Sequence, residues 1–197
     1  MSSTSALTIS KKFQALKLKF VTPTLLASLL NQANDNTNYK TLQRLEKHNI
    51  LIRLNKGKYL VAGADVPEFS LANWLIQPSY ISLESALAYY GILPQFSYSV
   101  TSVTARRAQK IVTQNREFNY VKTAPRLFWG YTNHHGSLIA SAEKACLDYL
   151  YLAAKGLKNP DIDDWDLSLI KKGRLKDYAA KFAFLPLKKL LTAKKLL

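Results

Sequence analysis

Apolar residues recur along the chain at two periods, three to four residues in some stretches and two in others. Over residues 10–18, Phe13, Leu16 and Leu18 lie among lysines and predict a short amphipathic helix. Thr22 and Pro23 then suit the cap and first turn of a second helix, since Thr accepts from a free backbone N–H and Pro has none to waste. Leu25, Leu26, Leu29 and Leu30 give that helix an apolar face, and the turn-forming run at 31–36 ends it. A third helix is predicted over 37–48. Tyr39, Leu42 and Leu45 form its narrow buried stripe. Thr37, Lys40, Thr41, Arg44 and Lys47 fall on the opposite side at 100° per residue, with Gln43 at the edge. Two β-prone runs at 50–54 and 58–61, joined by Asn55-Lys56-Gly57, predict a hairpin.

Helix, helix, turn, helix, hairpin is the layout of a winged helix-turn-helix, expected over residues 1–66. In such a domain the third helix enters a major groove. Lys40, Gln43 and Arg44 are side chains able to bond base edges there. Asn55, Lys56 and Lys58 at the hairpin tip, with Arg53 on the rising strand, would reach phosphate or the minor groove.

Residues 67–197 predict a mixed α/β domain, so the expected fold class is α+β. Gly63 and Pro67 punctuate a linker ahead of it. Helical spacing is visible over 70–76, over 82–91 with Ser82 as cap and Gly91 as terminator, and over 141–154 with Ser141 as cap. Strands are predicted over 99–104, 117–123 and 126–132. Three shorter helices are expected over 165–171, 175–184 and 186–196.

Charge sharpens the picture. Twenty-eight Lys and Arg face thirteen Asp and Glu, a net charge of +15, which points to a polyanionic partner. Residues 1–66 hold ten cations and three acids, residues 67–156 eight and five, and residues 157–197 ten and five. Both ends are therefore basic around a near-neutral middle. Arg106, Arg107, Lys188, Lys189, Lys194 and Lys195 form a candidate secondary basic surface. It would extend a DNA footprint, meet an acidic protein or simply be solvated. The sole cysteine, Cys146, excludes an intrachain disulfide and a multi-thiolate zinc site. No run approaches the ~18 apolar residues of a membrane span. The N-terminal residues lack the basic and apolar regions of a signal peptide, so a cytoplasmic location with no membrane partner is expected.

Catalytic chemistry finds little support. His134 and His135 are adjacent and point apart, which disfavours chelation of one ion. Asp161, Asp163, Asp164 and Asp166 lack the glycine and terminal glutamate of a calcium loop. They read as a polar loop and helix start. Gly136-Ser137 followed by Asp148 is like the opening of a nucleotidyltransferase signature. Leu150 stands where its second carboxylate belongs, and two-metal chemistry needs both. Glu143 and Lys144 read as ordinary first-turn helix residues, and Cys146 as core. No catalytic residue, metal or cofactor is expected, and the chain does not read as an enzyme.

Several stretches carry a family resemblance. They are 51–59, the run Tyr80-Ile81-Ser82-Leu83-Glu84-Ser85-Ala86-Leu87, then 100–104, 118–120, Phe128-Trp129-Gly130 and Ala140-Ser141-Ala142-Glu143-Lys144-Ala145-Cys146-Leu147-Asp148. In this order, from about residue 20 to 155, the chain resembles the AbiEi-family antitoxins, the regulatory half of bacterial type IV toxin–antitoxin pairs. It departs from the family pattern at Ala142, usually Pro, and at Tyr90, often His. The resemblance implies a winged-helix DNA-binding domain at 1–66 and a C-terminal antitoxin domain at 67–197. Such a protein represses its own operon through double-stranded operator DNA and counteracts a nucleotidyltransferase-like toxin. Two other readings stay open: a stand-alone winged-helix regulator with a ligand-sensing C-terminal domain, and an enzyme of nucleic-acid metabolism.

Overall fold

The computed structural model describes residues 5–94, 98–113, 115–159 and 162–197. The chain divides into two compact units, Met1–Pro67 and Glu68–Leu197. It is a mixed α/β protein with one sheet in each unit.

The first unit opens with helix α1 (Ala6–Ala15), four residues earlier than the sequence pattern suggests. Ser5 caps it through Thr8 N at 3.2 Å. The inward residues are Ile9 and Phe13, one turn apart, while Leu16 is exposed. Strand β1 (Phe20–Val21) leads into α2 (Pro23–Leu30), where Thr22 Oγ1 accepts from Leu25 N at 3.2 Å. Asn31 closes α2 in the left-handed region with φ of 50°, a conformation Asn tolerates. Helix α3 (Asp35–Lys47) follows after a short turn. Asn34 Oδ1 accepts from Thr37 N at 3.2 Å, so the helix begins two residues before the expected start. Asn34, Asp35 and Asn36 are all good caps, so geometry decides which of them takes that role.

Strands β2 (Leu51–Asn55) and β3 (Lys58–Val61) form an antiparallel hairpin, and β1 pairs on the far side of β3. The sheet order is β1-β3-β2. Asn55 pairs with Lys58 across a two-residue turn, and Gly57 supplies its φ of +67°. Helices and sheet bury one core of Ile9, Phe13, Val21, Leu26, Leu42, Leu45, Leu51 and Tyr59. Each fully buried aliphatic or Phe side chain there contributes roughly 1.5–3 kcal/mol.

The second unit is built on a six-stranded mixed sheet of order β6-β7-β5-β4-β9-β8. Its strands are β4 (Ser79–Ile81), β5 (Ser99–Thr104), β6 (Gln109–Thr113), β7 (Arg116–Lys122), β8 (Tyr131–His134) and β9 (Ser137–Ala140). β5 runs parallel to β7 and β4 parallel to β9, while the other neighbours are antiparallel. The predicted strand over 126–132 is replaced by a 3-10 turn at Pro125–Leu127 and by β8. Ala124-Pro125 begins that turn, because Pro fixes its first residue and removes a ladder donor.

Helix α4 (Glu68–Leu75) covers one face, where Tyr120 Oη donates to Ala72 O at 2.7 Å. Helices α5 (Leu83–Tyr89) and α6 (Ala142–Ala153) cover the other. Thr101 and Ser85 there exchange hydrogen bonds of 2.8 and 3.1 Å. Helices α7 (Lys172–Phe182) and α8 (Leu185–Ala193) pack beyond α6. The expected helix over 165–171 is only a 3-10 turn, Leu167–Leu169.

Candidate nucleic-acid interface

Helix α3 owes its orientation to four inward residues: Asn38, Thr41, Leu42 and Leu45. Two of these correct the sequence reading. Thr41, expected on the polar outer face, is only 8% exposed and is part of the buried side. Tyr39, expected inside, is 51% exposed. The buried stripe has rotated because polar Asn38 packs inward and donates from Nδ2 to Gln32 O at 3.2 Å. That bond ties α3 to the turn before it and offsets part of the cost of burying an amide.

The solvent face that results carries Asn36, Lys40, Gln43 and Lys47, spaced at one helical turn. Tyr39 stands on one edge. Thr37, exposed, and Arg44, half-buried, stand on the other. The thirteen residues of α3 span about 20 Å. The face offers ammonium groups, an amide that both donates and accepts, and a phenol. It has no carboxylate of its own: Asp35 lies in the first turn and Glu46 is half-buried.

The hairpin adds exposed Arg53 and Lys56, with Asn55 and Lys58 half-buried beside them. Asn55 Oδ1 accepts from Lys56 N at 2.8 Å and stiffens the tip. Arg53 lies opposite Tyr59 in the ladder. Burial raises the Tyr59 phenol above its ordinary value, and the nearby Arg53 charge opposes that shift. The ring therefore stays neutral and serves as core.

The six residues of the secondary basic surface do not share one element. Arg106 and Arg107 are exposed in the connection between β5 and β6. Lys188 and Lys189 are exposed on α8. Lys194 and Lys195, expected on that helix, lie past its end, where Lys195 has φ of 55°. Lys194 Nζ is 3.9 Å from Asp163 Oδ1.

The second unit contains a group of polar residues with the opposite character. Glu143 and Lys144, expected to be ordinary first-turn residues, are both buried. Lys144 is 0% exposed. Its Nζ donates to Asp148 Oδ1 and, at 2.8 Å, to Tyr80 Oη. Asp148 Oδ2 accepts from Tyr80 Oη at 2.9 Å and from Ser82 Oγ at 2.8 Å. Ser82 therefore spends its side chain on Asp148 and does not cap α5 as the sequence suggests. The rings of Tyr80, Trp129 and Phe182 surround the Lys144 ammonium at 5.1 to 5.3 Å. Burial pushes Lys144 down and Asp148 up from their ordinary values, and their mutual attraction opposes both shifts. Glu143 receives Lys171 N at 3.3 Å and lies 3.6 Å from Arg174 Nε.

Gly130 makes room for this cluster. It sits at φ of +79°, and a Cβ there would lie 2.9 Å from Lys144 Cγ. Three of the stretches quoted for the family resemblance thus meet in space: Tyr80 and Ser82, Phe128-Trp129-Gly130, and Lys144 with Asp148. Phe128 packs 5.1 Å from the Tyr80 ring, and Thr101 Oγ1 donates to Ser82 O at 2.8 Å. Sequence reasoning missed the cluster because a lysine one turn before an aspartate usually marks a solvated helix face. The available signal was the spacing itself inside an otherwise apolar helix.

Other candidates are not assembled into sites. His134 Nε2 lies 2.9 Å from Thr132 Oγ1, and His135 occupies the β8–β9 turn at φ of 49°. Asp161 lies outside the described residues. Asp166 caps the 3-10 turn at Ser168 N, 3.1 Å away. Cys146 is buried, and desolvation raises its thiol to about 12. Among the described residues no three His, Cys, Asp or Glu side chains are placed to hold a metal ion. No described helix is long and apolar enough to cross a membrane. No protein-family model and no curated protein sequence matches this chain.

Proposed function

We propose that residues 1–67 form a winged helix-turn-helix that binds double-stranded DNA, with α3 in the major groove and the β2–β3 tip against the sugar–phosphate backbone. The observation that carries this reading is the outward face of Asn36, Lys40, Gln43 and Lys47, presented by the third helix of a unit whose sheet order is β1-β3-β2. A helix fits a major groove about 12 Å wide, where Gln pairs in bidentate fashion with adenine and Lys with guanine. Exposed Lys56 and Arg53 at the hairpin supply the phosphate contacts that set register. The ten cations and three acids of residues 1–66 supply the long-range attraction.

The fuller reading is a cytoplasmic antitoxin-repressor: it occupies operator DNA upstream of its own operon and counteracts a nucleotidyltransferase-like toxin through the second unit. Its support is the family resemblance. Three of the quoted stretches, holding Tyr80 and Ser82, Trp129, and Lys144 with Asp148, come together in one buried cluster of the second unit.

Gel-shift titration of the full chain tests the DNA reading, with a duplex from upstream of its own coding sequence and a scrambled duplex of equal composition. The native duplex binds more tightly. Gln43→Ala narrows the difference by roughly 1–3 kcal/mol. Equal binding of both duplexes by the unaltered protein overturns the sequence-specific reading.

A further inference from the structure

Helices α7 and α8 follow one another across a short turn at Ala183, whose φ of 47° bends the chain sharply, and each packs against α6. Between them runs a groove of about 580 Å³. Its floor is apolar, built from Ala179, Ala180, Ala183, Phe184, Leu185 and Leu191. Leu185 is 63% exposed there, and Leu197, which also lines the groove, is 42% exposed. Lys176 of α7 and Lys188 of α8 also line it. Lys172, one turn before Lys176, extends the basic character along the same face of α7. Lys189 follows Lys188 and is also exposed. Asp177 is the acid on α7, and by helical spacing it projects about 100° away from Lys176.

We infer that this groove is a docking site for an acidic amphipathic helix of a partner protein, whose apolar stripe fills the alanine and leucine floor while its carboxylates meet Lys176 and Lys188. Two features select that occupant. An apolar floor flanked by exposed leucines gains from burying apolar surface, which a phosphate backbone does not offer. Lysines from both helices make the rim cationic, so a matched partner carries negative charge flanking its apolar stripe. Three alanines keep the floor low enough for a helix to approach closely. Duplex DNA would use the lysines but leave the floor empty. The inference stands apart from the α3 interface and does not rest on it.

Fluorescence polarisation with the full chain tests it. The probe is a labelled synthetic helix with leucines at i, i+3, i+4 and i+7 and glutamates on either flank. Controls are the same peptide with lysines replacing the glutamates and a scrambled sequence with no apolar stripe. The acidic amphipathic peptide binds saturably and at least tenfold more tightly than either control. Ala180→Trp, which fills the groove from an exposed position, weakens it at least tenfold, as does Lys176→Glu/Lys188→Glu. Circular dichroism and thermal melting confirm that both variants fold. No saturable binding, equal binding of the scrambled peptide, or indifference to both variants overturns the inference. Loss of duplex affinity in Lys176→Glu/Lys188→Glu with peptide binding retained overturns it in favour of a phosphate contact.

Discussion

Helices α3 and α6 start alike and end in opposite environments. Each is capped by a side chain, Asn34 for α3 and Ser141 for α6, and each carries lysine close to the polar residues of its first turns. On α3, Lys40 and Lys47 point into water beside Gln43. On α6, Lys144 is enclosed by three aromatic rings and bonded to Asp148 and Tyr80. A solvated ammonium keeps its bonding capacity and can exchange water for phosphate at little conformational cost. A buried one has committed it to partners in its own chain, and removing either member leaves an uncompensated charge. The same residue type is therefore held for architecture in one unit and left available to solvent in the other, where the proposed function assigns it to recognition. Substitutions should separate the two: binding falls without loss of stability for α3, and stability falls for α6.

The largest effect is expected at the buried pair. Lys144→Met leaves Asp148 without its cation and costs about 3–5 kcal/mol in urea unfolding. Adding Asp148→Leu removes the second charge and recovers much of that loss. A loss below about 1 kcal/mol for the single variant would place Lys144 with the solvated lysines and erase the contrast.

Gly130→Ala probes the same cluster from outside. The new methyl meets the Lys144 chain, and the residue must also hold φ of +79°. Overpacking of about 1–3 kcal/mol adds to the left-handed penalty, read as a lower urea midpoint. DNA affinity measured on the folded fraction stays unchanged.

The smallest effect is expected at the hairpin tip. Lys56→Ala lowers the slope of log K against log salt by about 0.9, one phosphate contact, and does so equally on native and scrambled duplexes. An unchanged slope would remove the tip from the interface.

Much of this arrangement is legible in the sequence. The Asn55-Lys56-Gly57 turn, the Thr22-Pro23 helix start and the 99–104 strand follow from local rules and lie where those rules put them. Two failures, in α3 and α6, occur where a polar residue is buried. Asn38 inside α3 rotates the helix, which turns Thr41 inward and Tyr39 outward. Periodicity counts apolar residues and is blind to an amide that finds a carbonyl. Lys144 is hidden for the same reason. Its partner Tyr80, and Ser82 bonded to the paired Asp148, are more than sixty residues away in sequence, and only the pairing of β4 with β5 and β9 brings them beneath α6.

The most direct test of the recognition surface uses one variant, Lys40→Ala/Gln43→Ala/Lys47→Ala, in the full chain. It measures duplex affinity and unfolding free energy on the same preparation. Three contacts at roughly 1 kcal/mol or more each predict an affinity loss of at least ~100-fold. Unfolding free energy should stay within about 0.5 kcal/mol, as for other exposed positions. Unchanged affinity in the folded variant would contradict the account, because no DNA-reading role would then be left for the outward face of α3.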